Sequence, residues 1–132
     1  MIDSEVVDLY PFAVSDGLPR IIDWAPIIRE ILIDLRRGKS FGFISAKFHN
    51  TLAEVIVEVA REIGQPKIVL TGGCFQNRYL LELSISRLSQ AGFKPYWHQR
   101  IPPNDGSIAL GQVVAAAKAG LRIAKREGAT RQ

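Results

Sequence analysis

The chain has 132 residues, one cysteine, a net charge of +4 and 47% hydrophobic against 23% charged residues. That is enough chain for one domain with its own core, and a single cysteine excludes an internal disulfide framework. No run of ~18 uninterrupted apolar residues occurs, so no membrane span is expected.

Met1-Ile2-Asp3-Ser4-Glu5 lacks a basic leader region, so no secretory signal is expected either. Residues Val6 to Val14 alternate enough to read as a strand, with Pro11 pointing to a sheet edge. Ser15-Asp16-Gly17 is a turn signal, and Arg20 to Asp23 reads as a short return strand. Pro26 suits the first turn of a helix whose apolar face is Ile27, Ile28, Ile31, Leu32 and Leu35, closed by Gly38. Ser40 caps a longer helix, where Phe41, Ile44, Phe48, Leu52, Val55, Val59 and Ile63 recur at three and four residues. Gly64 and Pro66 stop it, and Lys67 to Thr71 reads as a buried strand.

Asn77 is placed to cap a third helix through Leu80, Leu81, Leu83, Ile85 and Leu88, closed by Gly92. Lys94 to His98 reads as a strand. A last helix starts near Asp105 or Gly106, and its basic end, Lys118 to Arg131, reads as a solvated helix end rather than a nucleic-acid surface. Fraying is expected over residues 126–132. The order helix, strand, helix, strand, helix from Ser40 predicts parallel central strands, with the opening strands added as an antiparallel edge.

Two stretches stand out, both between a strand and a helix. In "LTGGCFQNR", Gly72 and Gly73 permit positive φ and close approach to the backbone, and the following helix offers free N–H groups. That is an anion site or, equally, a tight turn with an N-cap. The stretch matches neither the P-loop nor the dinucleotide pattern. In "IPPNDGSIALGQ", Pro102 and Pro103 stiffen the approach, and Asp105 is either a helix cap or a hard-cation ligand. Both loops leave strand ends on one side of the predicted sheet, where α/β proteins bind ligands. Cys74 has no histidine base beside it in sequence and reads as a small packed residue. His98 ends a strand and is not read as a ligand.

"LTGGCFQNRYLLE" followed by "GFKPYWHQRIPPNDGSIALGQ", with "ISAKFHNTLAEVI" upstream, resembles the C-terminal end of the hydrogenase maturation carbamoyltransferases, the HypF family, from about Leu9 to Ala117. Cys74 stands where the family often has valine. The resemblance implies the second subdomain of an actin-like, ribonuclease H-like ATPase fold, with a central mixed sheet and flanking helices. It implies carbamoyl-adenylate formed from ATP and carbamoyl phosphate, and transfer of the carbamoyl group to the C-terminal cysteine of a HypE partner in the cytoplasm. That thiocarboxamide becomes a cyanide ligand of nickel–iron hydrogenase.

Carried onto this sequence, the resemblance implies that Gly72, Gly73, Asn77, Asn104 and Gly106 contact nucleotide. Asp105 corresponds to a ligand of a divalent metal (iron, zinc or magnesium), and His49 is a possible cleft residue or a structural histidine. The family's acylphosphatase, zinc-binding and adenylate-forming regions and the first actin-like half have no counterpart here. Residues 1–132 are therefore expected to form one subdomain that needs those domains in cis or in trans and is inactive alone. The alternative is a non-catalytic interaction module that keeps the fold.

Overall fold

The computed structural model describes residues 2, 3 and 5–129, the last nine of these as helix backbone only. The chain divides into two compact units. The first joins Met1–Ile68 to Asn77–Tyr96, and the second joins Val69–Gln76 to Trp97–Gln132.

The first unit is built around helices. Asp23 accepts the Ala25 N–H at 2.9 Å at the start of helix α1, Ala25–Arg36, and Pro26 lies in its first turn. Ser40 Oγ accepts the Phe43 N–H at 3.1 Å and opens α2, Phe41–Ile63. Gly64 ends α2 with φ of 69°, a conformation costly for any residue with a Cβ. Strand β3 is Lys67–Leu70, helix α3 is Arg78–Gln90 and strand β4 is Lys94–Trp97. Strands β3 and β4 pair as a parallel sheet, flanked at its start by a 2.8 Å bond from Lys94 N–H to Pro66 O. The boundaries of the units fall within these strands.

Helix α2 is the centre of the first unit and packs chiefly against α3, then α1. The expected stripe on α2 is half right. Ile44 and Val55 are buried, whereas Phe41 and Ile63 at its ends are exposed. Ala46, Ala53, Val57 and Ala60 are buried as well, because α2 is covered on more than one side. Leu80, Ser84 and Leu88 of α3 are buried, and Ser84 Oγ returns a 2.7 Å bond to Leu80 O. On α1 only Ile27 of the expected face is fully buried, and Ile28, Leu32 and Leu35 remain exposed.

The opening segment departs from expectation. Only Ala13–Val14 (β1) and Ile22–Asp23 (β2) are strand, paired antiparallel as a hairpin of their own and not as an edge of the β3–β4 sheet. Residues 6–12 carry no regular structure and are held in part by side chains of α2. Asn50 Nδ2 donates to Val6 O at 2.7 Å, and Thr51 Oγ1 accepts the Tyr10 N–H at 2.8 Å. Tyr10 is 1% exposed, and its hydroxyl donates to Asp34 Oδ2 at 3.0 Å. Lys47 Nζ reaches the same oxygen at 3.1 Å and lies over the Tyr10 ring.

Strand β3 is less buried than its composition suggests, since Val69 is exposed and only Leu70 is fully buried. In the second unit a 3₁₀ turn, Gly73–Gln76, follows β3, and another, Asp105–Ser107, leads into helix α4, Ile108–Ala129. The fraying expected over residues 126–132 falls on residues 130–132 and side chains that lie outside the described residues. No described helix is long and apolar enough to cross a membrane.

Candidate functional site

The second unit brings two strand-end loops together. The Gly72 N–H donates to Pro103 O at 2.7 Å, tying the glycine loop to the proline loop. Beside this bond, Thr71 Oγ1 and His98 Nε2 are 2.9 Å apart. Gly72 has φ of 108° and therefore needs glycine for its conformation. A Cβ at Gly73 would meet only Asn104 Cβ, at 4.0 Å, so packing leaves that position open.

The Phe75 N–H returns to Gly72 O at 3.1 Å. The N–H groups of Gly73 and Cys74 find no acceptor among the described residues. They open the 3₁₀ turn, where backbone donors have no intrahelical partner. Cys74 itself is exposed, which corrects the expectation of a packed side chain.

In the facing loop the cap is Asn104, not Asp105. Asn104 Oδ1 accepts the Gly106 N–H at 3.1 Å, and Asn104 O accepts from the Ser107 backbone N–H and hydroxyl, each at 3.0 Å. A Cβ on Gly106 would press on Asn104 Oδ1 at 3.1 Å, so this glycine serves the cap itself. The Asp105 carboxylate is exposed, with no hydrogen bond or ion pair among the described residues. The cap reading of Asp105 thus falls to its neighbour. No group of three or more His, Cys, Asp or Glu stands ready to hold a metal among the described residues.

The first unit joins the remaining pair. His49 on α2 and Asn77 at the start of α3 are in contact, with Asn77 Nδ2 and His49 Nε2 2.8 Å apart. Asn77 Oδ1 accepts the Leu80 N–H at 3.1 Å as the helix cap, as the sequence predicts. His49 Nδ1 lies 2.7 Å from Ser45 O, and the Tyr79 ring meets His49 edge-on at 5.6 Å. Neither this pair nor the Thr71–His98 pair was foreseen. The second was accessible, since both residues directly follow adjacent parallel strands.

The parallel β3–β4 pair and its helices make this a mixed α/β subdomain. The family described as "Carbamoyltransferase, Kae1-like Domain, second subdomain" matches residues 1–112, and the chain belongs to this HypF carbamoyltransferase family. It is 41% identical over 113 residues to the carbamoyltransferase HypF of Synechocystis, covering 85% of this chain and 14% of that protein. It is 39% identical over 122 residues to HypF of Rhodobacter capsulatus, covering 89% and 16%. A crystal structure of full-length HypF in the phosphate- and nucleotide-bound form superposes with a TM-score of 0.79 at 40% identity, covering 86% of this chain and 16% of that one. The chain spans about a seventh of the length of these relatives.

Proposed function

We propose that this chain is the nucleotide- and metal-facing second subdomain of an ATP-dependent carbamoyltransferase. In this reading it works in the cytoplasm with the remaining HypF-type domains, in cis or in trans. Together they carbamoylate the C-terminal cysteine of a HypE-type acceptor for the cyanide ligands of nickel–iron hydrogenase. The observation that carries it is the tie between the two loops, which leaves the Gly73 and Cys74 N–H groups and the Asp105 carboxylate unspent. The nucleotide- and phosphate-bound state of the related full-length structure supports the same reading.

The residues present fit a phosphate. Two adjacent N–H donors at a turn suit anionic oxygens, and Gly73 allows their close approach. Asn104 and Gly106 hold the facing wall; in the first unit, taken by itself, Asn77 keeps one Nδ2 hydrogen beyond the one that meets His49. A hard cation suits the Asp105 carboxylate, but one carboxylate falls short of the ~3 protein ligands usual in a catalytic site. A bound divalent ion would supply charge neutralisation on phosphate and carbamoyl oxygens. The chain's own contribution is to orient phosphate and present one ligand, while the rest of the shell comes from other domains.

The test is complementation. The chain is mixed with a HypF-family protein lacking its second subdomain, and carbamoyl-phosphate-dependent ATP cleavage is measured. Activity should return, Asp105→Ala should abolish it, and Gly73→Ala should cut it at least tenfold while leaving the thermal midpoint unchanged. Full activity with Asp105→Ala would remove the metal role. Binding of the missing domains without any turnover would favour the interaction-module alternative.

A further inference from the structure

A single file of hydrogen bonds runs from α2 to the first turn of α3, and both of its ends are backbone groups. At one end the Leu80 N–H can only donate, so the Asn77 atom it meets at 3.1 Å is Oδ1. That fixes the amide orientation and turns Nδ2 toward His49 Nε2, 2.8 Å away. An amide nitrogen can only donate, so Nε2 must accept and carries no proton. At the other end Ser45 O can only accept, so Nδ1, 2.7 Å from it, carries the ring's hydrogen. Every bond in the file therefore points one way: Leu80 N–H to Asn77, Asn77 to His49, His49 to Ser45. The ring is further held between Phe48 and Tyr79, each edge-on at 5.9 and 5.6 Å.

We propose that His49 is a positioning residue that, as the neutral Nδ1–H tautomer, fixes the Asn77 amide and so aims its remaining Nδ2 hydrogen at the nucleotide. The cap alone restrains Asn77 through its oxygen. The histidine adds a second point on the nitrogen, and two points determine the plane of an amide. This role is distinct from metal binding, because Nε2 is occupied by the amide and Nδ1 by a carbonyl. The nucleotide part of the proposal rests on the function proposed above, whereas the direction of the hydrogen bonds does not.

The test reads the ring nitrogens of the whole chain by long-range proton–nitrogen correlation. The chain has only two histidines, and His98→Gln assigns the other. His49 should show a protonated Nδ1 and a bare Nε2, the reverse of the tautomer dominant in free histidine. Asn77→Ser keeps a good N-cap but removes the amide donor, and it should shift the His49 Nε2 nitrogen resonance to that of an imidazole nitrogen without a donor, while Nδ1 keeps its hydrogen through Ser45 O and α3 stays folded. A protonated Nε2 in the unaltered chain, or no change in Asn77→Ser, overturns the proposal.

A second arm titrates ATP and magnesium. His49→Ala should weaken binding about fivefold, the worth of one oriented hydrogen bond, and His49→Gln, whose side-chain oxygen can accept from Asn77, should restore most of it. Unchanged affinity in His49→Ala overturns the aiming role. If ATP does not bind the unaltered chain while the ring nitrogens behave as expected, the nucleotide reading fails and the fixing of Asn77 by His49 stands.

Discussion

At the scale of single residues, Asp34 sits between opposing influences on its charge. Burial pushes its carboxyl up, but hydrogen bonds from Lys47 and Tyr10 and the charges of Lys47 and Lys39 outweigh burial and hold it below its ordinary value. The Tyr10 phenol is raised, first by burial and then by the Asp34 hydrogen bond, so it stays a neutral donor. Because the folded carboxyl is the stronger acid, its stabilisation is complete above the unfolded value of about 3.9. It is lost as pH falls from there through the folded value. Asp34→Asn should cost about 3 kcal/mol near neutrality, since it leaves the Lys47 ammonium, with 15% side-chain exposure, without its counter-charge. Denaturant titrations from pH 6 to pH 2 should show a smaller acid loss in the variant, and an identical slope would refute the assignment. None of this was legible beforehand, because Tyr10, Asp34 and Lys47 meet only through the fold. Gly72 and the Asn77 cap were legible from local chemistry. The exchange of roles between Asn104 and Asp105 was not, because both residue types cap helices and only geometry decides.

At the scale of elements, the α2–α3 contact is the structural spine of the first unit. Leu88 is fully buried there, and Arg87 Nη1 on α3 bonds Glu54 Oε2 on α2 at 2.6 Å. Leu88→Ala should cost about 3 kcal/mol through lost burial and the cavity left behind, seen as a lowered thermal midpoint by circular dichroism. Arg87→Ala should cost under about 1 kcal/mol more than a neutral surface change, because the pair is partly solvated. Helices were readable because periodicity, Ser40, Asn77 and Gly64 all agree. The Val6–Val14 strand was misread because a segment bonded to the Asn50 and Thr51 side chains can bury the same apolar residues as a paired strand. The alanines of α2 were overlooked as core because small side chains do not mark a stripe, although they allow close helix approach.

At the scale of the whole molecule, a chain that spans about a seventh of its relatives and gathers no three-ligand metal cluster among its described residues is not expected to turn over unaided. Carbamoyl-phosphate-dependent release of pyrophosphate or ADP by the purified chain should be indistinguishable from buffer. Transfer needs both reactants held in register, which takes a second wall to the cleft. Turnover by the chain alone would mean that a complete site lies within it.

The bond between Gly72 and Pro103 has a temporal consequence. A loop amide normally trades its hydrogen with water almost freely, but this one, 2.7 Å from a carbonyl 31 positions along the chain, can do so only when the two loops part. Its exchange rate in deuterium oxide is therefore a clock for that opening. We expect the Gly72 amide to exchange at least ten times more slowly than those of Gly73 and Cys74, which have no such acceptor. Because nothing else ties that amide, a ligand that bridges the loops should slow the clock without any change in secondary structure. Comparable rates for all three would mean that the two loops are apart most of the time.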